Sequence, residues 1–98
     1  MIIKKLVVEG RVPFDERLKK IKDARAVARI IARIRRLESG NPGDHKALSD
    51  GLYELRIDVG TGWRVYYTKR GDQLILLALV GSKKTQTKDI KQVLSWLN

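Results

Sequence analysis

The stretch Gly51-Leu-Tyr-Glu-Leu-Arg-Ile-Asp-Val-Gly-Thr-Gly-Trp-Arg-Val-Tyr-Tyr67 decides the fold. Tyr53, Leu55, Ile57 and Val59 alternate with Glu54, Arg56 and Asp58. Beyond Gly60-Thr61-Gly62, the residues Trp63, Val65 and Tyr67 alternate with Arg64, Tyr66 and Thr68. Period-two alternation interrupted by glycines predicts a β-hairpin with one apolar face. A three-residue loop sets Asp58 opposite Gly62. Trp63 then pairs with Ile57, Val65 with Leu55, and Tyr67 with Tyr53. A slip of one residue would oppose polar and apolar side chains, so this register is favoured. The same register sets Arg64 opposite Arg56, and Tyr66 opposite Glu54, on the polar face. Like charges directly opposite destabilise a sheet. Two arginines retained there point to a place held open for an anion.

The flanking segments supply the rest of the domain. Residues 2–9 carry β-branched bulk for a first strand. Pro13-Phe14-Asp15-Glu16 suits a helix start, predicting a short helix over 13–21. Asp23 caps a longer helix to about Glu38, with Val27, Ile30, Ile31, Ile34 and Leu37 as its apolar stripe. Arg25, Arg29, Arg33 and Arg36 are expected on its opposite, solvent-facing side. Gly40-Asn-Pro-Gly-Asp44 stops that helix, and a short strand is expected near 46–48. Residues 73–80 are almost unbroken apolar, as in a strand buried on both faces. Thr85 to Thr87 can cap a last helix whose inner face is Ile90, Val93, Leu94 and Leu97. The expected fold class is α+β: a small antiparallel sheet, two N-terminal helices and a C-terminal helix, with the helices mostly on one face.

At 98 residues the chain is long enough for one domain and one modest core. It carries 21 Lys and Arg against 11 Asp and Glu, a formal charge of +10, which points to a polyanionic or acidic partner. Residues 1–40 hold +7 of that charge. Cysteine is absent, which excludes thiolate chemistry and disulfides. The N-terminus lacks a signal-peptide pattern, and no apolar run approaches a membrane span, so a soluble cytoplasmic protein with no membrane partner is expected. A single histidine, His45, and scattered carboxylates make neither a transition-metal cage nor a two-metal site. No metal and no other cofactor is expected. Chemistry here must run on Arg, Lys, Tyr, Asp or Glu.

Two constellations offer it. Glu54, Arg56, Arg64 and Tyr66 share the polar face of the hairpin; either Glu54 and Asp58 neutralise the arginines on a solvated surface, or the arginines grip a phosphate bidentately. The loop Gly81-Ser-Lys-Lys-Thr-Gln-Thr-Lys-Asp89 leaves a buried strand and enters a helix, where free N–H groups favour anions. Ser82, Lys83, Lys84 and Gln86 gather there. Strand order can bring that loop close to Arg64, merging the two sites.

Four ordered motifs, Gly40-Asn-Pro-Gly-Asp-His-Lys46, Gly51-Leu-Tyr-Glu-Leu-Arg-Ile57, Gly62-Trp-Arg-Val-Tyr-Tyr67 and Lys83-Lys-Thr-Gln-Thr-Lys-Asp-Ile90, resemble the RelE/HigB-like toxins of bacterial toxin–antitoxin modules. The addiction module killer type is the nearest group, over about Phe14 to Leu94. The resemblance implies a type II toxin that cuts mRNA on the ribosome and inhibits translation. It also implies silencing by a cognate antitoxin, here expected to be a HigA-like helix-turn-helix DNA-binding protein. The family's basic positions map to Arg56, Arg64 and Lys83. Trp63 stands where tyrosine is common, and Arg17 where tryptophan is. The expected catalytic set is Arg56, Arg64, Lys83, Lys84 and Glu54. In it the arginines stabilise charge, a lysine protonates the leaving oxygen, and Glu54, or Tyr66 after it, takes the proton. The expected RNA-contacting set is Tyr66, Ser82, Gln86, Lys88 and Lys46, with Arg29, Arg33 and Arg36 from the helix ridge. Two alternatives come from other classes: a ParE-like gyrase inhibitor on the same fold, and a non-enzymatic basic nucleic-acid-binding module.

Overall fold

A computed structural model describes all residues, Met1 to Asn98. In chain order the elements are β1 (Ile2–Lys5), α1 (Pro13–Lys19), α2 (Ala24–Glu38), β2 (His45–Ala47), β3 (Leu52–Ile57), β4 (Trp63–Arg70), β5 (Leu74–Ser82), a 3₁₀ turn (Lys83–Thr85) and α3 (Gln86–Leu97). The α+β class holds. The five strands are ordered β1-β5-β4-β3-β2. The run from β2 to β5 is the expected antiparallel meander. β1 returns to the far edge and pairs parallel to β5, Ile2 opposite Leu74.

The hairpin register is the one the alternation dictates: Tyr53 faces Tyr67, Leu55 faces Val65, Arg56 faces Arg64 and Ile57 faces Trp63. The Tyr53 and Tyr67 rings stack with centroids 5.4 Å apart, adding a cross-strand aromatic contact to the pairing. Between β4 and β5 the register shifts at Tyr66/Tyr67, since Tyr66 pairs with Leu79 and Tyr67 with Leu77. Ala78 is the extra residue of this bulge. The parity change lets Ala78 and Leu79 join one apolar cluster while Leu77 and Val80 join the other.

Helices cover both faces of the sheet, where most were expected on one. Phe14 of α1 and Ile30 and Leu37 of α2 pack with Leu55, Ile57, Val65 and Tyr67. Val93 of α3 packs on the other face with Leu52, Tyr66 and Leu79, beside Ile90, Leu94 and Leu97. The polar face of the hairpin is therefore not simply solvated. Half of it lies under α3, and Glu54 and Tyr66 are fully buried.

Three other expectations are corrected. The first strand ends at Lys5, because the chain turns back through Glu9 and Gly10, both at positive φ, and Val8 bridges Arg11. The first helix stops at Lys19. The buried stripe of α2 is Ala26, Ile30, Arg33 and Leu37, while Ile31 is exposed. Arg33 therefore lies inside rather than on the solvent ridge. Asp23 caps α2 as read, accepting from the amides of Arg25 and Ala26, a contact typically worth ~1 kcal/mol.

The Tyr66 and Tyr67 hydroxyls are buried without a hydrogen-bond partner. Burial is the main force raising both above the ordinary tyrosine value, Tyr67 to about 12. A folded-state pKa above the unfolded one gives stability that is complete below the unfolded value. It is lost as pH climbs through the folded one. Tyr67→Phe is expected to leave the melting temperature near neutral pH almost unchanged, since no hydrogen bond is lost, and to move the alkaline unfolding midpoint upward. An unchanged alkaline midpoint would show that the buried phenol does not set that limit.

Candidate functional site

The site is built on the two opposed arginines. Their repulsion is relieved by Glu54, which lies two residues before Arg56 on the same face and is fully buried. Arg56 Nε donates to Glu54 Oε1 at 3.0 Å. Arg64 Nε stands 3.4 Å from the same oxygen, an ion-pair distance at which it makes no hydrogen bond. Glu54 Oε2 accepts from Gln86 Nε2 of α3 at 2.8 Å. Such a buried carboxylate is tolerable only because cations and a donor surround it.

This arrangement turns the guanidinium ends outward. The Arg56 side chain is about a third exposed, at 37%, and its Nη groups make no hydrogen bond within the protein. Arg64 is 12% exposed; its Nη1 donates to the Trp63 carbonyl at 3.0 Å, leaving Nη2 free. Lys83 arrives from the next strand. Gly62, at φ +86°, accepts from the Lys83 amide at 3.0 Å, and its own amide donates to Val59. A side chain at Gly62 would be strained by that φ, although its Cβ would meet the Lys83 stem only at ordinary contact distance. Arg56, Arg64 and Lys83 consequently line one cleft of about 410 Å³ with Asp44, Asp58 and the 60–62 turn. Arg56 and Arg64 of the hairpin constellation and Lys83 of the loop constellation thus share one cleft.

The remaining expected residues are less concentrated. Lys84 is exposed, outside the cleft. Ser82 lines a neighbouring groove, and Gln86 is spent on Glu54. Lys46 pairs with Glu54 across β2–β3, exposed on the same side of the sheet, and Lys88 is exposed on α3. Arg29 and Arg36 are exposed on α2, which packs against the opposite face. Tyr66 offers no surface to RNA, being sealed between β4 and α3.

Arg33 is the clearest correction. It is 8% exposed and donates to three main-chain carbonyls: Arg56 at 2.6 Å, Asp44 at 2.8 Å and Pro42 at 2.9 Å. It clamps the loop after α2 to the back of Arg56. Burial, then the neighbouring Arg36, lowers its pKa from the ordinary value. Gly43 is required beside it, since a Cβ there would press on the guanidinium.

A second buried carboxylate escaped the sequence reading. Asp89, 2% exposed, accepts from Arg17 Nη1 at 3.2 Å and from the Thr85 hydroxyl at 2.6 Å. It lies directly over Gly81, where any side chain would overlap its carboxylate. Arg17 Nη1 also reaches the Val80 carbonyl at 3.4 Å. These contacts fix the 3₁₀ turn that carries Lys83. Helical spacing was the available signal, since Asp89 falls on the Ile90–Val93 stripe. The acids that reach the cleft, Asp44 and Asp58, were also undervalued. No three His, Asp or Glu side chains converge as a metal-ligand set.

A compact α+β domain with a cationic cleft at the turn end of its central hairpin is the class these features define. The family described as "Phage derived protein Gp49-like (DUF891)" matches residues 16–94, and the chain belongs to that family, which is associated with toxin–antitoxin modules as an addiction module toxin. The chain is also 49% identical over 85 residues to an uncharacterized protein of Haemophilus influenzae, covering 87% of this chain and 86% of that protein. No solved structure matches.

Arg33→Ala should lower thermal stability by ~2–3 kcal/mol, because a charged donor is withdrawn from three buried carbonyls. Arg33→Lys should recover little, since an ammonium cannot span all three. Near-native melting of the alanine variant would return Arg33 to the solvent-facing ridge.

Proposed function

We propose that this protein is the toxin of a type II toxin–antitoxin pair and cuts mRNA within the ribosome. The observation that carries the reading is the convergence of Arg56, Arg64 and Lys83, with unused N–H groups, on one cleft that also holds two unpaired carboxylates, Asp44 and Asp58. A gyrase inhibitor or a simple basic binding module has no need of that combination.

The arginines grip the scissile phosphate. The 2′-OH attacks the adjacent phosphorus, the O2′–P bond forms and the P–O5′ bond breaks. The products are a 2′,3′-cyclic phosphate and a 5′-hydroxyl end. Arg56 and Arg64 stabilise the charge that grows on the non-bridging oxygens. Lys83, which lines the cleft where Lys84 does not, gives its proton to O5′.

The base is reassigned. Glu54 is buried beneath the arginines, accepts from Arg56 and Gln86 and pairs with Arg64, and Tyr66 is buried with a raised pKa. Asp58, two residues after Arg56 in the cleft wall, makes no ion pair or hydrogen bond in the protein and takes the 2′-OH proton. The ribosome supplies the alignment that so small and open a site lacks, since positioning alone can remove much of a barrier. Exposed Arg25, Arg29 and Arg36 steer the domain to rRNA. The excess positive charge equally suits an acidic antitoxin, here a HigA-like protein.

The test is cleavage of an mRNA on programmed ribosomes, read as new 5′ ends. Arg64→Ala should lose ~3 kcal/mol of transition-state stabilisation, on the order of a hundredfold in rate. Lysine should restore it only in part. Asp58→Asn should lose activity without losing melting temperature, and Tyr66→Phe should keep both. Full cleavage by Arg64→Ala would sink the phosphate grip. Undiminished cleavage by Asp58→Asn would remove the proposed base alone.

A further inference from the structure

The phosphate cleft has a neighbour across the end of the sheet. Where β4 begins and β5 ends, Trp63 pairs with Ser82 and Arg64 with Gly81. A groove of about 270 Å³ opens there on the α1 side. Trp63 and Ile21 form its apolar wall, Ser82 and Thr85 bring hydroxyls, and Lys20 and Lys22 stand at its rim. No carboxylate lines it, and Asp89 behind it is occupied by Arg17.

Packing explains only part of Trp63. Its inner side joins Ile57 and Val65 in the core, and its buried indole N–H has no partner. The ring is nonetheless only half-buried, and it lines the groove together with Ile21, Lys20 and Lys22. A fixed aromatic plane beside cations is the arrangement by which single-stranded RNA is held, the base stacking and the backbone tracking positive charge. The groove shares no lining residue with the cleft but adjoins it where β4 begins and β5 ends. The Trp63 carbonyl accepts from Arg64 Nη1, and Lys83 follows Ser82 directly. One strand of backbone separates the two sites, so a nucleotide next to the gripped phosphate comes within reach of the groove.

We propose that this groove is a nucleobase subsite for the nucleotide flanking the scissile phosphate. Trp63 stacks on the base, and Lys20 and Lys22 hold the adjoining backbone. The proposal rests on the RNA-cleaving reading and adds to it a place where sequence or position along the RNA can be sensed.

Trp63 reports on itself. The chain has two tryptophans, and Trp96→Phe on α3 leaves Trp63 as the one emitter. The probe is a 2′-O-methylated tetranucleotide, which cannot be cleaved, and versions of it with one abasic position moved along the chain. Binding is followed by anisotropy and by Trp63 emission together. The expected result is quenching of Trp63. One abasic position should abolish the quenching and weaken binding about tenfold. Trp63→Phe should bind nearly as well, and Trp63→Leu about tenfold less. Two results overturn the proposal and differ in reach. If the tetranucleotide binds, with loss of binding in Arg64→Ala, while Trp63 emission and abasic probes show no effect, the subsite falls and the phosphate cleft stands. If no probe binds to any form, the subsite falls, and the phosphate cleft is judged by cleavage on programmed ribosomes.

Discussion

A single buried carboxylate holds this structure in its working arrangement. Glu54 sits between two arginines that the hairpin register forces into opposition, and without it Arg56 and Arg64 would repel across the strands. Removing a carboxylate from water is expensive, and the two cations and the Gln86 amide offset that cost. The same contact ties the first turn of α3 to the centre of the sheet. The ion cluster thus sets three things together: the separation of the arginines, the outward aim of their free N–H groups, and the docking of the C-terminal helix.

Two further anchors act at the edges of that cluster. Arg33 pins the loop after α2 behind Arg56, and Arg17 with Asp89 pins the turn behind Lys83. Each uses an arginine as an internal brace, so the positive charge of the chain is divided by role. Some of it is consumed by buried carbonyls and carboxylates, some converges on the cleft, and the exposed remainder on α2 is free for long-range attraction. The glycines at 43 and 81 mark where these braces press on the backbone.

Much of this was legible in the residue pattern, and the failures have physical causes. The hairpin register could be read because a one-residue slip moves every apolar side chain to the wrong face. The Asp23 cap and the doubly buried β5 follow from equally local rules. The charge of Arg33 points to the surface, while its spacing, three residues after Ile30 and four before Leu37, points inward, and the spacing wins. Its long stem and forked head let it fill a core position and satisfy carbonyls there. Tyr66 and Glu54 were read as surface because period two reports which face a residue is on, not what later covers that face. Only the return of α3 decides that. The parallel docking of β1 and the contact of Arg17 with Asp89, 72 residues apart, are set by tertiary closure and leave no local trace.

The most direct test of Glu54 as the organising contact is a double-mutant cycle on thermal or denaturant unfolding. Glu54→Gln should cost ~3 kcal/mol or more in the natural chain, as breaking a buried ion cluster does. In an Arg56→Ala/Arg64→Ala background the same substitution should cost nothing or stabilise, because the carboxylate there is buried without its cations. If Glu54→Gln costs the same in both backgrounds, within ~0.5 kcal/mol, the carboxylate does not hold the arginines and the account of the site is wrong.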